Sequence, residues 1–184
     1  MKWLKWVGIV LAALLVLPLL TLLVIGLRPG AGQIQASADI HASPDQLWSW
    51  VEDGAKLKQW VSSLVEVRPA DPPQPGVGAK RVLKMRDENN GGTPMEIEAT
   101  CSEYAPPSRL TMRLVSKDAF DGRQSYLLTD LGNGQTRVEI HSQFHFADRF
   151  AQLMEPLITP SARQKLVGDL ARLKSLVESR AEAR

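Results

Sequence analysis

The chain has 184 residues and a formal net charge of +2, which is enough for one domain with a real hydrophobic core. No block of lysine and arginine follows the pattern that tracks a phosphate backbone, so nucleic acid is excluded as an expected partner. A single cysteine, Cys101, excludes an internal disulfide, and no Cys/His cluster has zinc-site spacing.

Val7–Leu27 is an uncharged run of 21 residues. At about 1.5 Å per helical residue it reaches roughly 31 Å, the thickness of a bilayer's hydrocarbon core. Lys2 and Lys5 precede it, with Trp3 and Trp6 beside them, and Arg28 is the only basic residue for a long way after it. The positive-inside rule then leaves residues 1–6 in the cytoplasm and the rest of the chain outside the cytoplasmic (inner) membrane. The competing reading is a cleaved signal peptide, since Ala36-Ser37-Ala38 has the A-x-A form. Against it, the apolar core exceeds the usual length of about 7–15 residues, and that site lies about ten residues beyond it. Pro18 interrupts the otherwise uniform span. None of the 20 acidic residues and only three of the 22 basic ones precede Gln33, so nineteen cations meet twenty anions in the exported part. Export without a disulfide points to a bacterial envelope.

The connection at residues 28–32 is short: five extended residues span at most about 17 Å. Whatever follows is held on or just above the bilayer. Gln33–Ile40 alternates, with Ile34, Ala36, Ala38 and Ile40 on one face, and reads as a half-buried strand. Ser43-Pro44-Asp45 supplies an N-cap, a proline at the first helical position and an early acid. The helix it starts carries Leu47, Trp48 and Val51 on one face and stops near Asp53-Gly54. A second short helix, Ala55–Trp60, runs into a strand at Ser63–Val67. A proline-rich loop, Pro69–Gly78, follows. Strand signals then recur at Ala79–Arg86, Met95–Tyr104, Arg109–Ser116, Arg123–Leu131 and Thr136–Phe146. Their separators are turn chemistry: Asn89-Asn90-Gly91-Gly92, Pro106-Pro107-Ser108, Asp121-Gly122 and Gly132-Asn133-Gly134. Last comes a helical pattern over Asp148–Ala183, interrupted at Pro156 and Pro160, with Leu166, Val167, Leu170, Leu173, Leu176 and Val177 as its apolar stripe.

This is an α+β order: one strand, two short helices, six more strands and a long C-terminal helix. A seven-stranded antiparallel sheet must bury one face, and only the last helix is long and amphipathic enough to cover it. A curved sheet gripping a helix leaves a gap between them, a natural place for a ligand. The expected organisation is a cytoplasmic end at 1–6, a transmembrane helix at 7–27, a linker at 28–32, a domain at 33–180 and a tail at 181–184.

The element order, with the stretch Ala38-Asp39-Ile40-His41-Ala42-Ser43-Pro44-Asp45-Gln46-Leu47-Trp48 and the Asp53 and Trp60 that follow, resembles the START-like (SRPBCC) superfamily. That group holds polyketide cyclase/dehydrase-like and lipid-transport domains. The resemblance spans about Gln33 to Val177, and Leu170-Ala171-Arg172-Leu173-Lys174 resembles its closing helix. It implies a helix-grip fold. Function it implies only broadly, because the superfamily includes carriers, cyclases, hydroxylase domains, hydrolases and chaperone activators without one catalytic signature.

Alternation nominates the cavity wall. Arg81 shares a face with Leu83 and Met85, and Glu103 follows Met95, Ile97, Ala99 and Cys101. Ser125 and Thr129 flank Leu127, while Ser142 lies between Ile140 and Phe144. Met112, Leu114, Leu166 and Leu170 complete the apolar wall, and Trp60, between a short helix and the next strand, joins the cavity set as a candidate for its mouth. An inward Arg81 and Glu103 either pair with one another or one of them meets a ligand headgroup. His141 and His145 fall on the opposite, solvent face of their strand; residues four apart there are separated by about 13 Å, too far to share a metal. His41 is structural. No nucleophile–base pair, metal motif or dinucleotide fingerprint emerges, so no cofactor or metal is expected.

Three functions fit these residues. The first is a membrane-anchored domain that binds a lipid or other hydrophobic small molecule without catalysis. A second is a cyclase, dehydratase or hydrolase acting on an apolar substrate, with Arg81, Glu103 or a cavity serine polarising a carbonyl. The third is a module holding an envelope protein partner through the sheet's outer face or the proline-rich loop.

Overall fold

The computed structural model describes residues 2–26, 32–69, 75–87, 91–117 and 119–182. Leu27, the linker at 28–31, Pro72 and Pro73, the Asn89-Asn90 half of a turn and the last two residues lie outside the described residues.

Helix α1 (Lys2–Gly26) contains the apolar stretch Lys5–Val24, long and apolar enough to cross a membrane by length and composition. None of that stretch is buried against the domain, and Pro18 lies within it. Strand β1 (Gln33–Ile40) keeps the expected alternation, burying Ile34, Ala36 and Ile40. Helix α2 (Pro44–Glu52) starts from a full capping box: Gln46 N–H donates to Ser43 Oγ, and Ser43 N–H donates to Gln46 Oε1. Asp53 ends α2 and caps α3 (Gly54–Trp60), accepting the Ala55 N–H at 2.8 Å.

Six strands follow: β2 (Leu64–Pro69), β3 (Lys80–Asp87), β4 (Thr93–Ala105), β5 (Arg109–Ser116), β6 (Phe120–Gly132) and β7 (Gln135–Phe146). All neighbours are antiparallel, in the order β1-β7-β6-β5-β4-β3-β2. The first strand thus returns to pair with the last, and the rest form a meander. Gly132, Asn133 and Gly134 all have positive φ at the β6–β7 turn, where only residues tolerant of the left-handed region fit. Asp121-Gly122 is not a turn. It lies inside β6, with Gly122 opposite Leu114, because an added Cβ at Gly122 would stand 2.7 Å from Gln143 O. The glycine there serves a close strand approach rather than a chain reversal.

Helix α4 (Arg149–Glu182) is continuous, with Pro156 and Pro160 inside it rather than interrupting it. Each proline removes one backbone donor, and the helix-forming residues on both sides carry the ladder past the loss. The sheet wraps around α4, which buries Leu170, Leu173 and Val177 against it. Val167 belongs to the exposed face, and the buried Asp169 takes its place on the inner one.

The C-terminal part of α4 is fastened to the β1–α2 junction. His41 N–H donates to Glu178 Oε1 at 3.0 Å, and Lys174 Nζ donates to Asp39 O at 2.7 Å. The His41 backbone donor holds the Glu178 carboxyl below the ordinary glutamate value of 4.5, with smaller help from the His41 side chain and Lys174. A carboxylate lowered on folding stabilises the fold above its unfolded pKa, and that contribution disappears as pH falls through the folded value. Thermal unfolding of the wild type should therefore drop more steeply between about pH 5 and about pH 3 than that of Glu178→Gln. Parallel slopes in the two proteins would show that this contact carries no pH-dependent stability.

Candidate ligand cavity

Sheet and helix do not close completely. Between them lies a cavity of about 180 Å³. Strands β3 to β7 supply its walls through Arg81, Leu83, Met85, Ile97, Met112, Leu114, Gln124, Tyr126, Ile140, Ser142 and Phe144. Ile34 of β1 joins them. Leu57 and Trp60 of α3 close one side, and Ala162, Lys165, Leu166 and Asp169 of α4 form the roof. A second cavity of about 270 Å³ shares Arg81 and Met112 with the first and is lined beyond them by Glu52, Ala79, Cys101, Tyr104 and Leu110.

Trp60 is part of the wall rather than the mouth, at 1 % exposure. Its indole N–H donates to Trp50 O at 2.9 Å, and its ring meets Tyr126 edge-on with centroids 6.4 Å apart. The N–H is paired and the ring buried, as a tryptophan in a core requires. Trp48 is likewise core, edge-on to Tyr104.

The polar groups of the cavity form a short chain. Ser142 Oγ donates to Gln124 Oε1, and Gln124 Nε2 donates to Tyr126 Oη. Burial pushes the Tyr126 phenol above its ordinary value of 10.0, against the opposing pull of Arg81, so it remains a neutral donor at physiological pH. Asp169 accepts the Ser62 N–H at 3.0 Å. Arg81 donates from Nη1 to Glu52 O at 3.1 Å. Its Nε is buried and has no partner.

Of the side chains nominated by alternation, the cavity brings together Trp60, Arg81, Leu83, Met85, Ile97, Met112, Leu114, Ser142, Phe144 and Leu166. Met95 packs against the core opposite Met85, and Leu170 is core at 1 % exposure; neither lines the cavity. Glu103 is on the outer face. A register shift between Cys101 and Glu103 inserts one residue into β4, and every side chain beyond it changes face. Glu103 pairs there with Arg109 at 3.2 Å and accepts from Thr111 Oγ1. Ser125 and Leu127 are also misassigned, because β6 presents Gln124, Tyr126 and Leu128 inward. Ser125 instead borders an outer polar groove with Arg123, His141 and Gln143. Sequence reasoning missed Gln124 and Tyr126 through that parity error. Lys165 and Asp169 share the Leu166 face of α4 at helical spacing, a signal present in the sequence but masked by their charge.

Cys101 is buried, with its thiol pushed up by that burial, which makes it an inert wall group. Tyr104 donates to Glu52, and that bond raises its phenol. Among the described residues, no group of three His, Cys, Asp or Glu side chains is placed to hold a metal ion.

A bent antiparallel sheet gripping a long C-terminal helix, with a cavity between them, defines a START-like ligand-binding domain. Residues 31–178 match the family described as polyketide cyclase/dehydrase and lipid transport, and the chain belongs to it. None of the curated proteins matches it in sequence. Among solved structures, a conserved protein from Geobacillus kaustophilus superposes with a TM-score of 0.66 at 9% identity, over 80% of this chain and 95% of that one. A START superfamily protein from Mycobacterium smegmatis gives 0.64 at 16% identity, over 80% and 97%. The di-domain ARO/CYC StfQ from the steffimycin biosynthetic pathway gives 0.66 at 8% identity, over 82% of this chain and 52% of that one. At these identities the likeness is one of fold.

Proposed function

We propose that the chain is a single-pass, membrane-anchored START-like protein that takes up a lipid or other hydrophobic small molecule between its sheet and α4, without chemistry of its own. The observation that carries this reading is a mainly apolar cavity roofed by α4, in a domain whose first strand begins seven residues after a helix long enough to span a bilayer. A tether this short keeps the cavity within about 20 Å of the membrane, where apolar ligands are concentrated. Lys2 and Lys5 favour a cytoplasmic N-terminus and an extracytoplasmic domain.

Retention of the anchor has its own support. Cleavage after Ala38 would remove most of β1, which pairs with β7 from Gln33↔Gln143 to Ile40↔Thr136 and buries Ile34 and Ala36. The A-x-A tripeptide is better explained as the inward and outward alternation of that strand.

The test is native mass spectrometry with lipid extraction on the full chain, purified from its host's membranes. A stoichiometric apolar compound is expected, on a protein that stays in the membrane pellet through an alkaline carbonate wash. An empty protein that takes up nothing from a host lipid extract would overturn the binding reading. A mature chain beginning at Asp39 would overturn the anchor.

A further inference from the structure

We infer that the ligand of this cavity is an amphiphile with an acidic head, a carboxylate or phosphate monoester, received by Arg81; this rests on the binding function proposed above. Among the described residues two charged side chains carry a buried polar atom without a partner, Arg81 Nε and Glu155 Oε1, and of the two only Arg81 lines the cavity. Among the described residues, Arg68, Arg109, Arg113 and Arg137 each hold a carboxylate at the surface. Arg81 holds none: Nη1 goes to the Glu52 carbonyl and Nε is buried without a partner. Glu103, which strand alternation would have kept on the same face four residues beyond Ala99, the residue opposite Arg81, is turned to the outer face by the β4 bulge and engaged by Arg109. A buried N–H of a charged group left unpaired is costly and rare in folded proteins. A ligand oxygen at Nε would complete the guanidinium.

The rest of the cavity agrees on the sign of that oxygen's charge. Its ionisable wall groups other than the phenol are Arg81, Lys165 and Asp169, two cations against one anion. The anion already accepts the Ser62 N–H. Tyr126 offers a second donor. Gln124, oriented by Ser142, donates to the phenol oxygen, which frees the phenol's own proton to point at a ligand. A cationic head would meet a wall with more cations than anions, and a wholly apolar ligand would leave Nε as it is. The tail has Leu83, Met85, Ile97, Leu114 and Phe144 to lie against. Arg81 also borders the second cavity. Each volume alone is below the roughly 300–1,000 Å³ of ordinary ligand pockets, and an acid that draws the guanidinium aside joins the two.

The experiment uses the full chain in phosphatidylcholine nanodiscs, with dodecanoate and dodecanol each carrying ¹³C at C1. Dodecanoate is expected to give a bound resonance absent from empty nanodiscs, and dodecanol to bind at least about ten-fold more weakly, the worth of one charge-assisted hydrogen bond. Arg81→Met should abolish that preference, bringing the dodecanoate affinity to that of the alcohol. Arg81→Lys keeps the charge and should retain part of the preference, which separates loss of the head contact from loss of the fold. Dihexanoyl phosphatidate as competitor distinguishes the two sources of the acid: displacement stronger than by dodecanoate assigns a phosphate monoester, and weaker displacement a carboxylate. Equal binding of acid and alcohol, unchanged in Arg81→Met, would overturn the acidic head and leave an apolar carrier standing. Binding of neither would overturn both.

Discussion

Trp60→Ala should destabilise the domain by about 3–5 kcal/mol, the upper range for emptying a large aromatic site. Trp60 is 1 % exposed and among the largest fully buried side chains of the protein. Its removal deletes the edge-on contact with Tyr126, withdraws the donor from Trp50 O and enlarges a cavity already present beside it. Neighbouring side chains cannot collapse into the space easily, because the sheet and α4 hold them on opposite sides. For a domain whose total stability is on the order of 5–15 kcal/mol, that is a large fraction. Trp60→Phe keeps an aromatic edge and loses only the N–H and part of the area, so it should cost about 1–2 kcal/mol. Urea unfolding of both variants in nanodiscs, followed by near-ultraviolet circular dichroism, measures the difference. A loss below about 1 kcal/mol for the alanine variant would mean that the cavity wall repacks freely.

The outline of this fold is legible in the sequence because its signals are local. Ser43-Pro44-Asp45 starts a helix through an N-cap, a proline and an early acid in three consecutive residues, and Gly132-Asn133-Gly134 forces a turn through backbone conformations few other residues adopt. Facing was legible where only one parity is apolar. In β7, Val138 and Ile140 point inward and His141 outward, as their alternation requires. It failed in β6, where Tyr126, Leu127 and Leu128 make both parities apolar and the choice depends on partners in other strands. It failed again at Glu103 for a different reason: a bulge adds a residue to one strand without leaving a mark in composition. That single inserted residue turns Glu103 away from the inner face and brings it to Arg109. The continuity of α4 through Pro156 and Pro160 was likewise hidden, since a proline inside a helical pattern ordinarily ends or kinks the helix.

Ala162→Trp should reduce ligand uptake at least ten-fold while leaving the fold intact. Ala162 lines the cavity roof one turn before Leu166. An indole there occupies the space that a ligand tail would need. Overpacking normally costs about 1–3 kcal/mol because a filled core has nowhere to put new atoms. Here about 180 Å³ is open, so that cost is relieved, and filling a cavity commonly adds about 0.5–2 kcal/mol instead. The lower helix propensity of tryptophan subtracts only about 0.5 kcal/mol. The melting temperature should therefore hold or rise as co-purifying lipid disappears. Val167→Trp is the matched control: it lies on the exposed face of the next turn of the helix, so it changes propensity and surface without touching the cavity. Lipid retained in Ala162→Trp at an unaltered melting temperature would place the ligand elsewhere on the protein. Lipid lost from both variants would point to the outer face of α4 as the binding surface, because only there does the control change what a ligand meets.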